Sequence, residues 1–283
     1  MTLWHVIVLS VVQAGTEFIP VSSSGHLVLV QTFLGLSEVP LLFDLILHLG
    51  TLGATVLVYY RLIGSLIRDT GLWIVRTGEA RREVSERGHV RMFGYIILST
   101  AVTGVCGVVF RNQIERFFFQ PRYVSFFMLF TGLLLLITRF VRDRSKTIGE
   151  IGIGVPFAIG FAQALSMLPG VSRSGATIST GLYAGMSRPL AGSYSFTLSI
   201  PSILGATIFE LSAYGESMHR LAESQGARYA ALLVITGFVV SLCAGYGALR
   251  ILLSFIRRGK LYLFSYYCFA AAIGSWVLLH MYT

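Results

Sequence analysis

Apolar residues run in long blocks along this chain, with the polar residues gathered between them. Six blocks, at 42–60, 92–110, 123–140, 190–209, 229–250 and 261–281, each hold close to the ~20 residues a helix needs to cross a bilayer core of roughly 30 Å. Two further apolar regions, about 3–36 and 151–186, are interrupted. The first holds Pro20 followed by Val21-Ser22-Ser23-Ser24-Gly25, and the second holds Pro169-Gly170 followed by Val171-Ser172-Arg173-Ser174-Gly175. As one straight helix, 3–36 would run about 50 Å at ~1.5 Å per residue, too long for the bilayer. Pro20 removes a backbone donor and disfavours helix at Ile19, and serines after it are strong helix starters. Each region therefore predicts two short helices joined by a break, entering the membrane and leaving on the same side. The alternative is a pair of kinked spans with the break near the surface.

An internal repeat favours the re-entrant form. At an offset of 150, Gln13, Ala14, Val21, Ser22, Ser24, Gly25, Gly35 and Ser37 match Gln163, Ala164, Val171, Ser172, Ser174, Gly175, Gly185 and Ser187, eight identities in 25 positions. Leu52-Gly53-Ala54-Thr55 recurs as Leu204-Gly205-Ala206-Thr207. Three spans lie between the two broken regions, and an odd number makes the second copy enter from the opposite side. The expected fold is an all-α polytopic membrane protein: six transmembrane helices plus two re-entrant broken-helix hairpins in an inverted repeat. The repeats run over about 3–141 and 151–281 within a single integral membrane domain, residues 1–283. Such repeats place a site near the midplane, where half-helix ends meet.

Composition agrees. Of 283 residues 54% are apolar and only 12% charged, with a mean hydropathy of +0.73, against about 25% charged in a typical soluble domain. The net charge of +9 does not indicate nucleic acid, because the basic residues flank apolar blocks. With the first hairpin opening outward, the inner segments hold sixteen basic residues and the outer ones five, including Arg220, as the positive-inside rule requires. Both termini are then extracytoplasmic. The remaining one, Arg173, sits in the second break. Cys106, Cys243 and Cys268 lie inside apolar segments without metal-ligand spacing and read as packing residues. No basic stretch precedes the first apolar block, so a cleaved signal peptide is not expected.

Charges at membrane depth are costly and mark candidate sites. They are Glu17, Asp44 and Arg173, with His26 and His48 as titratable neighbours. Gln13 and Glu17, four apart, share a helix face. Glu17 falls in the last turn of its half-helix, where the dipole disfavours a carboxylate, so a cation is expected beside it: Arg173, a divalent metal, or both. A plain Glu–Arg pair holding the repeats together is the structural alternative. Ser22, Ser23 and Ser24 open one half-helix and Ser172 and Ser174 another, and free N–H groups there suit phosphate oxygens; ordinary N-capping is the competing reading. Arg173 adds a planar fork that can grip two phosphate oxygens. His26, three and four residues after Ser23 and Ser22, can approach either hydroxyl, as base for a nucleophile or acid for a leaving oxygen. Asp44 and His48 read as packing or support.

At these residues the chain resembles the undecaprenyl-diphosphate phosphatase, or bacitracin-resistance, family. Gln13-Ala-Gly-Thr-Glu17-Phe-Ile-Pro-Val-Ser-Ser-Ser-Gly-His26 is similar to its first motif, and Pro169-Gly-Val-Ser-Arg-Ser-Gly-Ala-Thr177 to its second. The resemblance implies an integral membrane enzyme of the bacterial plasma membrane. It removes the terminal phosphate of undecaprenyl diphosphate with a divalent cation, Mg²⁺ or Ca²⁺, recycling the carrier for cell-wall synthesis and lowering bacitracin sensitivity. It implies Glu17 as the essential glutamate, with Gln13 its partner in metal binding where a second carboxylate would otherwise stand. It further implies Ser23 as nucleophile, His26 as the motif histidine, and Arg173 as phosphate-binding, with Ser172, Ser174 and Thr177 in its loop. Ser24 stands where members often have Thr. Which group attacks phosphorus, Ser23 or a water, stays open. The expected partners are a polyprenyl diphosphate lipid, the surrounding membrane lipid and, as an open alternative to a monomer, a second copy in a homodimer; nucleic acid is not expected. The rival function is a transporter or flippase of a phosphorylated lipid or other anion, since inverted repeats and a midplane anion site serve transport equally.

Overall fold

The computed structural model describes residues 2–36, 41–118, 122–142, 144–209, 223 and 226–282. Two residues used above, Ser37 and Arg220, lie outside them. Among the described residues the regular elements are helical, apart from one bridge between Lys146 and Met186. In chain order the helices are α1 (Leu3–Phe18), α2 (Ser23–Phe33), α3 (Leu41–Val75), α4 (Gly78–Glu86), α5 (His89–Val109), α6 (Arg111–Phe118), α7 (Arg122–Ile137), α8 (Gly154–Leu165), α9 (Arg173–Tyr183), α10 (Arg188–Phe209), α11 (Ala227–Arg257) and α12 (Leu263–Tyr282).

Both breaks fall where Pro, Gly and Ser demand them. α1 stops at Phe18, and Ile19 takes an extended conformation (φ −59°, ψ 131°), as a residue before proline must. Ser22 then turns the chain through the left-handed region (φ 70°), which costs a non-glycine residue, before α2 begins. In the second break Gly170 has φ 107°, and a Cβ there would stand 2.4 Å from the Val124 carbonyl oxygen, so only glycine fits. Ser172 caps α9 by accepting from the Gly175 N–H at 3.1 Å.

Among the described residues four helical stretches are long and apolar enough to cross a membrane: Phe43–Val75, His89–Val109, Tyr123–Phe140 and Ala227–Arg257. Leu3–Phe18, Gly154–Leu165 and Leu263–Val277 are shorter apolar helices. α10, expected as a full span, is diluted by Ser195, Thr197 and Ser199, all buried, and by Pro201 inside it. Beside its apolar core the bundle buries polar side chains and turns apolar ones outward: Gln13, Gln163, Thr51, Ser99 and Ser241 are buried, whereas Val105, Val108, Ile208, Ile235 and Trp276 are exposed. Lipid, not water, is the solvent for such a surface.

Two helices outrun the blocks that marked them. α3 continues fifteen residues past the expected end at 60 and α11 seven past 250, α3 with a kink at Tyr59 (φ −108°, ψ 15°). A hydropathy block ends at the first charges, Arg61 and Arg250, but a helix ends only where the backbone is broken, and nothing from 61 to 75 breaks it. Within this extension, Asp69 is buried between Arg87 (3.5 Å) and His89 (2.7 Å), tying α3 to the start of α5.

The two halves pack crosswise. α1 lies on α11, and α8 lies on α5. Ser10 donates to the Gly237 carbonyl (3.4 Å), and Thr103 donates to the Gly160 carbonyl (2.9 Å). Gly160 lets α8 approach so closely that a Cβ would lie 2.6 Å from the Ser99 carbonyl oxygen, the small-residue contact of membrane helices. Chain segments before α8 and after α9 run side by side: Lys146 donates its N–H to Gly185 O and accepts from Ser187 N–H, each at 3.1 Å. Leading into α8, Thr147 gives both its N–H and its hydroxyl to Glu150, holding that carboxyl below its ordinary value.

Candidate active site

The two breaks touch. Ser174 Oγ donates to the carbonyl of Phe18, the last residue of α1, at 2.9 Å, and Gly175 sits against Pro20. This contact brings Arg173, the first residue of α9, to Glu17, the next-to-last of α1, and Arg173 Nη2 donates to Glu17 Oε1. The other carboxylate oxygen, Oε2, accepts from Ser23 Oγ at 2.7 Å and from Gln13 Nε2 at 3.1 Å, and lies 3.7 Å from His48 Nε2. Glu17 is thus a buried hub among four side chains from α1, α2, α3 and α9.

Two buried polar atoms at this hub have no partner: Arg173 Nη1 and Gln13 Oε1. An unpaired buried donor or acceptor costs roughly 1–3 kcal/mol, a cost that a bound water or ligand atom would relieve. Nη1 is a cationic donor suited to a phosphate oxygen. Gln13 Oε1 is a carbonyl oxygen beside a carboxylate, a pairing that hard cations favour. Among the described residues no group of three or more His, Cys, Asp or Glu gathers as a metal cluster; the available donors are one carboxylate, one amide oxygen and hydroxyls.

The remaining sequence candidates fall into distinct places. Ser22 Oγ and Ser24 Oγ pair at 3.3 Å, and Ser172 Oγ and Ser174 Oγ pair at the same 3.3 Å, so the repeat preserves a hydrogen bond as well as letters. Both second-break hydroxyls are engaged structurally, Ser172 as a cap and Ser174 on Phe18. Thr177 donates to Arg173 O (2.8 Å) and pairs with Ser195 Oγ (2.6 Å) on α10; its hydroxyl fastens α9 to α10 and holds the carbonyl of Arg173. His26 does not bond a serine hydroxyl. Its Nδ1 lies 2.8 Å from the Ser22 carbonyl oxygen and its Nε2 2.6 Å from Tyr267 Oη on α12, over whose ring it stacks. A carbonyl only accepts, so Nδ1 carries a proton, while between Nε2 and the Tyr267 hydroxyl either atom can donate. Ser23, the expected partner of His26, has given its hydroxyl to Glu17. His48, read as support, is a direct neighbour of Glu17, with its Nδ1–H on the Asp44 carbonyl at 2.6 Å. Tyr267 gave no sequence signal at all: it is one of 13 tyrosines, 241 residues from His26.

The sequence profile of the family described as bacitracin resistance protein BacA matches residues 6–274. The chain belongs to this family. It is 38% identical over 279 residues to a protein of Desulforapulum autotrophicum named undecaprenyl-diphosphatase, covering 97% of this chain and 98% of that one. Likewise it is 40% identical over 274 residues to an undecaprenyl-diphosphatase of Rubrobacter xylanophilus, and 35% identical over 279 residues to one of Methanobrevibacter smithii, with 96% of each chain covered in both comparisons. The BacA match spans both breaks and every residue of the Glu17 hub, so the family likeness and the geometry concern the same residues.

Proposed function

We propose that this chain is a multi-pass membrane phosphatase that hydrolyses undecaprenyl diphosphate to undecaprenyl phosphate and inorganic phosphate. The observation that carries the reading is the Arg173 guanidinium: Nη2 is held by Glu17, whose other oxygen accepts from the Ser23 hydroxyl, and Nη1 is buried and unpaired. Family membership and the names of the relatives favour hydrolysis over transport, and the Ser23–Glu17 bond supplies what an anion carrier does not need.

Phosphoryl transfer chiefly requires positioning and neutralised oxygens. In the proposed reaction Arg173 Nη1 binds an oxygen of the terminal phosphate. Ser23 Oγ, within general-base distance of Glu17 Oε2, loses its proton to that carboxylate and attacks phosphorus. The Oγ–P bond forms as the bridging P–O bond breaks, and undecaprenyl phosphate leaves. Glu17 then returns the proton as water cleaves the phosphoserine. With the nucleophile served by Glu17, His26 is left the acid's part: its protonated Nε2 gives a proton to the departing oxygen, and the water that cleaves the phosphoserine returns one to it. His48 lines the same carboxylate, 3.7 Å from Oε2. Glu17 and Gln13 Oε1 would hold a divalent cation, Mg²⁺ or Ca²⁺, whose charge offsets that of the diphosphate oxygens.

The topology proposed with this function has six spans and two re-entrant hairpins related as inverted repeats, in one domain with both termini extracytoplasmic. The Lys146 bonds that bring the ends of the second hairpin together support it, as do the exchanged contacts of α1 with α11 and α8 with α5. The deciding experiment is phosphate release from a polyprenyl diphosphate by detergent-purified protein, where sidedness is absent and transport cannot imitate catalysis. Chelation should abolish release. No release by folded protein at several tail lengths would refute the phosphatase.

A further inference from the structure

A second polar cavity lies away from the Glu17 hub, between α3, α10 and α11, with a volume of about 880 Å³. Four arginines line it: Arg188, Arg250, Arg257 and Arg258. Tyr59, on its wall, is eleven residues past His48 along α3, which is about 16 Å at ~1.5 Å per residue, so this cavity is distinct from the hub. No Asp or Glu is among the described residues that line it.

Outside the hub, three other arginines have carboxylate partners, whereas Arg61 and Arg91 bond the Tyr60 hydroxyl and the Gly149 carbonyl. Arg82 pairs with Glu86, Arg87 with Glu83 and Asp69, and Arg68 with Asp69. Arg250, Arg257 and Arg258 form no ion pair with any described Asp or Glu; Arg250 reaches only the Tyr246 hydroxyl, at 3.3 Å. Arg188 is drawn over Gly259, where a Cβ would stand 2.5 Å from its Cζ, so the left-handed turn after α11 (φ 67°) makes room for this guanidinium. Ser193 and Ser254 add hydroxyls to the lining, and Val58, Leu190 and Leu253 give it an apolar wall. The start of α10, at Ser187 and Arg188, also opens into it, contributing the positive end of a helix dipole.

We infer that this cavity binds a phosphate-bearing anion, specifically the phosphate headgroup of an anionic lipid whose chain lies along the Val58–Leu190–Leu253 wall. Guanidinium forks match phosphate oxygens, and basic pockets between membrane helices on the cytoplasmic side suit anionic lipid heads. Orientation alone asks only for positive charge near the surface; it does not ask for four arginines around one cavity, three of them (Arg250, Arg257 and Arg258) without a described carboxylate partner, and for an apolar wall behind them. The inference is independent of the phosphatase reading.

The test measures binding of dihexanoyl phosphatidate, dihexanoyl phosphatidylcholine and inorganic phosphate to the full-length protein in detergent. The proteins compared are the wild type, Arg250→Gln/Arg257→Gln and Arg173→Lys. Phosphatidate should bind the wild type and Arg173→Lys alike at this cavity, and lose at least about tenfold in affinity in the double variant, as expected for lost charge-assisted hydrogen bonds. Phosphate release from a polyprenyl diphosphate by the double variant should stay at the wild-type rate. Equal phosphatidate binding by the double variant, or equal affinity for phosphatidylcholine, would overturn the site. Inorganic phosphate binding as tightly as phosphatidate would overturn the lipid assignment. Should the double variant fail to fold, Arg250→Lys/Arg257→Lys keeps the charges and removes the forks. Weaker phosphatidate binding there supports the inference, and wild-type binding overturns it.

Discussion

Replacing Arg173 by lysine separates the two jobs its guanidinium does. Nη2 is bound to Glu17, and Nη1 is buried with nothing to bond. A lysine ammonium keeps the positive charge but is a single point, not a fork. It can stand beside Glu17 or reach a phosphate oxygen, and one position cannot serve both. Folding should therefore change little, because the buried carboxylate keeps a cation. Removing the charge altogether would leave it uncompensated, at a cost of roughly 3–5 kcal/mol for a buried pair.

Turnover should suffer instead. A hydrogen bond to a charged group contributes about 1.5–3 kcal/mol. Loss of the phosphate contact near the upper part of that range, roughly 2–3 kcal/mol, corresponds to about a 30- to 150-fold fall in kcat/KM at ~1.36 kcal/mol per decade. The assay is phosphate release from a polyprenyl diphosphate by detergent-purified Arg173→Lys, beside a thermal melt of the same sample. A variant that melts like the wild type and turns over within threefold of it would show that Nη1 holds no phosphate and that Arg173 is only a brace for Glu17.

Ser23→Ala should abolish release, and after a quench no phosphate should remain covalently attached to the chain; full activity in this variant would hand the attack to water. Glu17→Gln should be inactive at ordinary Mg²⁺ while still folded, whereas Gln13→Glu should stay active and respond to lower metal concentrations; an active Glu17→Gln with unchanged metal dependence would remove both the base and the metal ligand from the scheme. Gly170→Ala should lower stability by roughly 2–3 kcal/mol through overlap with the Val124 carbonyl and the left-handed backbone, while Gly71→Ala, with open space around it, should leave the melt unchanged or raise it. Reporters in the 76–88 loop should read cytoplasmic and those at both termini extracytoplasmic; an N-terminus and C-terminus on opposite sides would refute the re-entrant hairpins.

The helix breaks were legible in the sequence because their causes are local. Proline constrains the residue before it, serine caps the helix after it, and both breaks lie within a residue or two of the expected places. The Glu17–Arg173 pair was legible for a related reason: a carboxylate and a guanidinium at membrane depth each need an opposite charge, and few are available. What could not be read depends on how the chain turns in three dimensions. Ser23 is six residues from Glu17, which is no helical neighbour, and only the left-handed turn at Ser22 folds it back onto the carboxylate. The i,i+3 spacing suggested His26 for that serine, but the same turn puts the Ser22 carbonyl under the imidazole. His48 reaches Glu17 across a helix interface, and Tyr267 reaches His26 from the far end of the chain.

The internal repeat explains why one carboxylate suffices. Each copy contributes the same scaffold: a glutamine in the first half-helix, a break, and a pair of serines bonded to each other at 3.3 Å. The chemistry is divided between them. Where the first copy has Glu17 the second has Met167, which packs on Gly107 of α5. Where the first has Ser23 the second has Arg173. Two identical copies would bring either two carboxylates or two guanidiniums to the place where the breaks meet, and like charges there would repel at membrane depth. In the proposed reaction, divergence at these two positions lets one half hold the hydroxyl and its base and the other the cation, and the Ser174–Phe18 bond holds the two breaks together. Gln163, the counterpart of Gln13, shows what the scaffold does without the charge. Its amide nitrogen is bonded to Thr103 and Ser202 at 3.1 and 2.8 Å, and it ties α8 to α5 and α10, with Met167 standing where the first copy has Glu17.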